Sequence, residues 1–132
     1  MIVDTSAIVA ILTGEEGAEA LSSALLDAGG AQISAATLVE LFAVVDSRSA
    51  PEQRRRVDAL LAAYRITVTP FTAEHAAVAR EAYRDFGRGS GHPARLDLGD
   101  CYSYALAAVA KEPILFVGDD FTRTDLRSAL AP

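Results

Sequence analysis

MIVDTSAIVAIL, residues 1–12, changes character once, at Asp4. Before it stand Met1, Ile2 and Val3, apolar and with two β-branched residues, as a buried strand requires. After it, Ala7, Ile8, Ala10, Ile11 and Leu12 recur at helical spacing. A strand that passes straight into a helix leaves Asp4 at the strand's carboxyl end. In open parallel sheets ligands bind beyond those ends. Taken alone, Asp4 reads as the N-cap of the helix that Thr5 and Ser6 begin.

Working outward, strand and helix signals alternate. Residues 1–4 read as a strand, 5 to about 13 as a helix, and about 15 to 27 as a second helix. Gly29-Gly30 breaks the pattern. Residues 31–34 read as a strand, then Ser34 caps a helix to about Ser47. Pro51 opens a helix at its first position, reaching about Tyr64. Ile66 to Thr69 is a β-branched strand closed by Pro70, and Thr72 caps a helix to about Phe86. Residues 87–95 form a Gly/Ser/Pro-rich loop, followed by a helix from Asp97 or Leu98 to about Lys111. ILFV, residues 114–117, is a buried strand turned by Gly118, and a short helix or irregular segment ends the chain. Such alternation predicts an α/β sandwich on a parallel sheet.

The 132 residues suit one domain over 1–132, and 51% of them are apolar, enough for a core. No apolar run approaches the roughly 20 residues of a membrane span. The N-terminus shows no basic leader with an extended apolar stretch. The single cysteine, Cys101, excludes an internal disulfide. These features predict a cytoplasmic protein that binds no membrane. The net charge of −6 argues against nucleic acid on bulk charge alone. Eleven of the twelve basic residues are arginine, which suits bidentate phosphate contacts.

Further acids fall where a site is built. Asp119 and Asp120 follow the last strand, either as a solvated turn or converging on Asp4 if the strands are neighbours. Glu40 lies in SAATLVEL (34–41) on no polar face, and a carboxylate there needs a cation, a hydrogen-bond donor or an exit to solvent. Asp97 fits an N-cap and Asp100 the third position of the same helix. Converging carboxylates cannot all stay ionised in a dry cleft, and a divalent cation removes the conflict. Oxygen ligands select Mg²⁺ or Mn²⁺ over zinc. No Cys/His cluster competes: His75 reads as a helix-surface residue and His92 as a solvated loop residue. Arg88 and Arg95 are candidates for phosphate contacts, and Arg54, Arg55 and Arg56 read as a solvated helix face or a partner contact.

Four stretches in order, MIVDTSAIVAIL, SAATLVEL, LDLGDCYSYALA (96–107) and LFVGDDFTRTD (115–125), span nearly the whole chain. Through them the chain resembles PIN-domain ribonucleases, in particular VapC-type toxins of type II toxin–antitoxin pairs. The resemblance implies a PIN-like three-layer sandwich with a central parallel sheet of four or five strands. It implies a Mg²⁺- or Mn²⁺-dependent endoribonuclease whose metal-activated water cleaves RNA to a 5′-phosphate and a 3′-hydroxyl. It also implies a homodimer neutralised by a VapB-like antitoxin. Carried over by position, Asp4, Asp100 and Glu40 match the family's acids. Asp120 is preferred to Asp119 because relatives often carry an amide before the Asp-Phe pair. Asp100 is preferred to Asp97, where relatives tolerate a neutral residue. Ser6 supports the cluster. Val117 departs from the family, which often has lysine there.

Two rivals remain. A haloacid-dehalogenase-like phosphatase fits VGDDFTRTD, but that chemistry wants an aspartate two residues after Asp4, where Ser6 stands. A catalytically silent protein-interaction module explains each acid singly except Glu40. Metal binding separates it from the nuclease.

Overall fold

The computed structural model describes residues 1–48 and 50–130. Its sheet grows from β1 (Ile2–Val3), flanked by β2 (Ala31–Ser34) and β4 (Ile114–Leu115), with β3 (Ile66–Thr69) outside β2. All pairings are parallel, in the order β3-β2-β1-β4. Ile2 stands opposite Gln32 on one side and Ile114 on the other. The helices are α1 (Thr5–Thr13), α2 (Ala18–Ala28), α3 (Ala35–Arg48), α4 (Pro51–Ala63), α5 (Ala73–Phe86) and α6 (Leu98–Ala110). A 3-10 turn, Phe121–Arg123, follows β4.

Successive side chains of a strand point to opposite faces, and the core divides accordingly. Val3, Ile33, Ile66 and Leu115 pack with α1 to α4, burying Ile8, Leu21, Leu25, Leu41, Val45 and Val57. Ile2 and Ile114 pack on the other face with α5, α6, Phe116 and Phe121. The result is the anticipated three-layer sandwich, with four strands among the described residues. No helix there is long and apolar enough to cross a membrane.

The end strands are shorter than the apolar runs suggest. Asp4 N–H still donates to Leu115 O at 3.0 Å, but beyond it both chains leave the sheet. Val117 donates its N–H to the Ser6 hydroxyl at 3.0 Å instead of to a strand. The second helix begins at Ala18, later than the apolar periodicity indicates. Gly14 (φ 68°) caps α1 and Gly17 (φ 88°) precedes α2, both left-handed, so the intervening segment cannot be helical. His75 is a correction: it is 6% exposed, not a surface residue. Its Nδ1 accepts the Thr72 N–H while Thr72 Oγ1 accepts the His75 N–H, a capping box that draws the ring in against Phe71.

Candidate active site

The first carboxylate is placed by its strand and its helix at once. Asp4 is the N-cap of α1 and only 4% exposed. Its Oδ2 accepts the Ser6 N–H at 3.1 Å and the Ser6 hydroxyl at 2.7 Å, and its Oδ1 accepts the Ser103 hydroxyl at 2.6 Å. Glu40 arrives from α3, half-buried, with Oε1 accepting the Thr5 hydroxyl at 2.7 Å. The carboxylate lies against Gly99 in the first turn of α6, where a Cβ would overlap it. Glycine there is what lets α3 bring its acid to the start of α6. Asp97 and Asp100 arrive together as the capping box of α6. Asp97 Oδ1 accepts the Asp100 N–H at 2.8 Å, and Asp100 Oδ2 accepts the Asp97 N–H at 3.0 Å.

Asp4, Glu40, Asp97 and Asp100 therefore line one cleft of about 290 Å³, with Thr5, Ser6, Val9, Val44 and Val117 around them. Glu15, which sequence reasoning did not single out, stands at its exposed edge. Asp119 and Asp120 are exposed and outside this lining. Asp120, just before the 3-10 turn, is close enough for its charge to act on Asp100. Arg88 and Arg95 are also exposed and outside the lining, on the loop that leads to α6. Arg54 faces Asp46 at 3.6 Å and is not part of the lining. His92 is structural, with Nδ1 accepting the Ala94 N–H and the ring edge-on to Phe86.

The electrostatics show the cost of this arrangement. Burial raises the Asp4 carboxyl above its ordinary value, against the pull of Ser103 and Ser6, and the Asp97 charge adds to the rise. Burial also raises Glu40, opposed by Thr5 and reinforced by Asp4 and Asp97. Asp100 is pushed up to about 8, first by burial and then by the charges of Asp97, Asp4 and Asp120, although the Asp97 N–H favours its ionised form. Among the ion pairs of the described residues, none supplies these acids with a cation. Such a donor set, all oxygen and short of positive charge, fits a hard divalent ion. As the side chains stand, no three acidic, histidine or cysteine groups among the described residues converge on one point. Asp4, Glu40, Asp97 and Asp100 each spend an oxygen on a donor of the chain itself.

Two residues of this constellation carry no acid and escaped sequence reasoning. Ser103 and Thr37 are fully buried and joined at 3.1 Å. A detectable signal existed. Ser103 lies one turn after Asp100 in the otherwise apolar CYSYALAAVA, and Thr37 one turn before Glu40.

The family model described as PIN domain matches residues 1–126. Ribonuclease VapC42 of Mycobacterium tuberculosis is 59% identical over 129 residues, 98% of each chain. Ribonuclease VapC28 of the same species is 49% identical over 130 residues, again 98% of each. The crystal structure of M. tuberculosis VapC20, described as a sarcin-ricin loop cleaving toxin, superposes with a TM-score of 0.72 at 16% identity, covering 95% of both chains. A toxin–antitoxin complex from Klebsiella pneumoniae gives a TM-score of 0.66 at 17% identity, covering 91% of this chain and 88% of that one.

Proposed function

The chain belongs to the PIN domain family and groups with the VapC ribonucleases, and from that premise we propose that it is a Mg²⁺- or Mn²⁺-dependent endoribonuclease, the toxin of a toxin–antitoxin pair. The observation that carries the reading is the single cleft holding Asp4, Glu40, Asp97 and Asp100, with three of these acids pushed toward protonation. The phosphatase alternative lacks its second aspartate, and Ser6 in that place is bonded to Asp4.

Asp4 and Asp100 would be the principal residues holding the metal, and Glu40 and Asp120 would complete the set. Mg²⁺ or Mn²⁺ held there would acidify a water and offset the negative charge of the scissile phosphate. The chain's own residues do the rest. Glu40, fixed by Thr5 and backed by Gly99, orients the water and takes its proton. Ser6 holds Asp4 and ties it to the backbone of Val117, so the two neighbouring strand ends stay in register. Asp120 approaches from the exposed side. Arg88 and Arg95 contact flanking phosphates. Attack of water on phosphorus with departure of the 3′ oxygen leaves a 5′-phosphate and a 3′-hydroxyl. The enzyme works in the cytoplasm as a homodimer, and a VapB-like antitoxin silences it by laying a cationic side chain among the carboxylates.

The test uses the purified full chain and RNA with Mn²⁺ or Mg²⁺. Cleavage to 5′-phosphorylated ends, abolished by EDTA and by Asp4→Ala, is expected. Cleavage indifferent to EDTA refutes the metal reading. Overexpression should arrest growth, and co-expression of the small protein encoded beside it should restore growth. Unimpaired growth with well-folded protein removes the toxin role.

A further inference from the structure

We propose that Thr37 and Ser103 form a buried two-hydroxyl relay that positions Asp4 for metal binding, so that both are positioning residues of the ribonuclease. The inference rests on the metal-dependent reading above and adds residues to it that bear no charge and touch no substrate.

The geometry is as follows. Ser103 is on α6, Thr37 on α3 and Asp4 at the end of β1, so the relay joins three elements where they meet. A hydroxyl inside a helix ordinarily bonds back to a carbonyl of its own preceding turn. Ser103 instead reaches across to donate to Asp4 Oδ1, at 2.6 Å. A hydroxyl has one proton to give. Ser103 gives it to Asp4, so Thr37 is the donor in the 3.1 Å contact between the two hydroxyls. The order is Thr37 to Ser103 to Asp4, and each bond polarises the next. Both hydroxyls are 0% exposed, so water cannot replace either one. Elsewhere on α6, Cys101, Ala105 and Ala107 are buried and apolar, and packing alone would be served by alanine at Ser103 too.

Asp4 is thereby gripped on both oxygens, by the relay on Oδ1 and by Ser6 on Oδ2. Asp4, so held, still lines the cleft. Partners that orient a ligating carboxylate typically change metal affinity by roughly 10–100-fold when removed.

The experiment measures Mn²⁺ affinity and RNA cleavage on the full chain, with the thermal midpoint as a check of folding. Ser103→Ala should weaken Mn²⁺ binding by roughly tenfold or more and lower cleavage with it. Thr37→Val keeps the shape and removes the donor, and Thr37→Ser keeps the donor and removes the methyl. Thr37→Val should bind Mn²⁺ several-fold more weakly, and Thr37→Ser as wild type does. A packing role predicts the reverse order. Because Thr37 acts only through Ser103, Thr37→Val should add nothing in a Ser103→Ala background. Wild-type affinity in Ser103→Ala, beside normal Mn²⁺ binding by the wild-type protein, overturns the relay alone. No Mn²⁺ binding by the wild-type protein overturns the metal reading beneath it, and the relay with it.

Discussion

Helices α5 and α6 begin with the same device and use it for different ends. In each, the N-cap side chain accepts the N–H three residues on, and the residue there returns a bond to the N-cap N–H. On α5 the pair is Thr72 and His75, at 3.1 and 3.2 Å, and neither partner carries a negative charge. On α6 it is Asp97 and Asp100, at 2.8 and 3.0 Å. The α6 box uses carboxylates, which when ionised are the stronger acceptors. The cost is that two like charges sit together in a cleft with Asp4 and Glu40. Capping alone does not require that cost, as α5 demonstrates. The second position differs as well: α5 has exposed Glu74 there, and α6 has Gly99 against Glu40. The α6 start is a helix cap adapted to hold a site.

The contrast breaks most visibly at the third position. Asp100→Asn retains an acceptor for the Asp97 N–H but removes the charge. Cleavage of RNA should fall by roughly 100-fold or more, since even outer partners of a metal ligand cost about 10–100-fold. His75→Gln, at the matching place on α5, should leave the specific cleavage rate near wild type. A comparable loss in both variants would show that the caps matter only for folding.

The same comparison shows what the sequence made legible. Asp97 and Thr72 were readable as N-caps because Asp and Thr in front of apolar periodicity are a local signal. The parallel sheet of the sandwich followed from the strand–helix alternation and from the apolar IV and IL pairs, whereas its order, β3-β2-β1-β4, rests on pairings distant in the chain. Asp4, Glu40, Asp100 and Asp120 were read as one site only through placement at strand ends and the family resemblance; the cleft lining holds the first three together with Asp97, and Asp120 stands outside it. Burial was less legible. His75 was read as exposed because a polar residue early in a helix usually is, and its pairing with Thr72 depends on a rotamer that no spacing reveals. Gly99 and Ser103 were passed over because their partners, Glu40 and Asp4, are distant in the chain. Asp119 and Asp120 lie past the shortened β4, where turn geometry and not strand register sets their direction.

Gly99→Ala sharpens the comparison at the second position. In an ordinary helix this change stabilises by about 1 kcal/mol. Here the new Cβ meets the Glu40 carboxylate. The thermal midpoint should hold or rise, while cleavage falls roughly tenfold as Glu40 is displaced. Glu74→Ala on α5 should alter neither. Unchanged cleavage in Gly99→Ala would mean that Glu40 does not act from its position beside α6.

The charge conflict on α6 also makes metal-free stability depend on pH. Asp100 rises from 3.8 to about 8 on folding. The folded chain therefore holds this proton more tightly than the unfolded chain does. The associated stability is complete below about pH 4 and is lost as pH climbs through about 8. Raised Asp4 and Glu40 act in the same direction. In EDTA the thermal midpoint should fall by a few degrees between pH 5 and pH 8.5, and Asp100→Asn should flatten the decline. A midpoint that climbs over this range in wild type contradicts the conflict inferred for the site.

The smallest effect separates capping from charge at the first position. Thr72→Ala removes the α5 cap and should cost about 1 kcal/mol, a few degrees in thermal midpoint. Asp97→Ser keeps an oxygen able to accept the Asp100 N–H, because serine and aspartate are comparable N-caps. It loses the favourable interaction of a negative charge with the helix dipole, worth roughly 0.3–1 kcal/mol. It also removes the strongest of the charges that disfavour ionised Asp100, and one that acts on Asp4 and Glu40. These two terms oppose each other, so the metal-free protein at neutral pH should change by less than about 0.5 kcal/mol. Chemical denaturation of both variants in EDTA measures the difference. If Asp97→Ser costs as much as Thr72→Ala, the charge on Asp97 is holding α6 in place and the two boxes are alike. If it costs little, Asp97 is a cap that happens to stand in the site, and Asp100 carries the function of the pair.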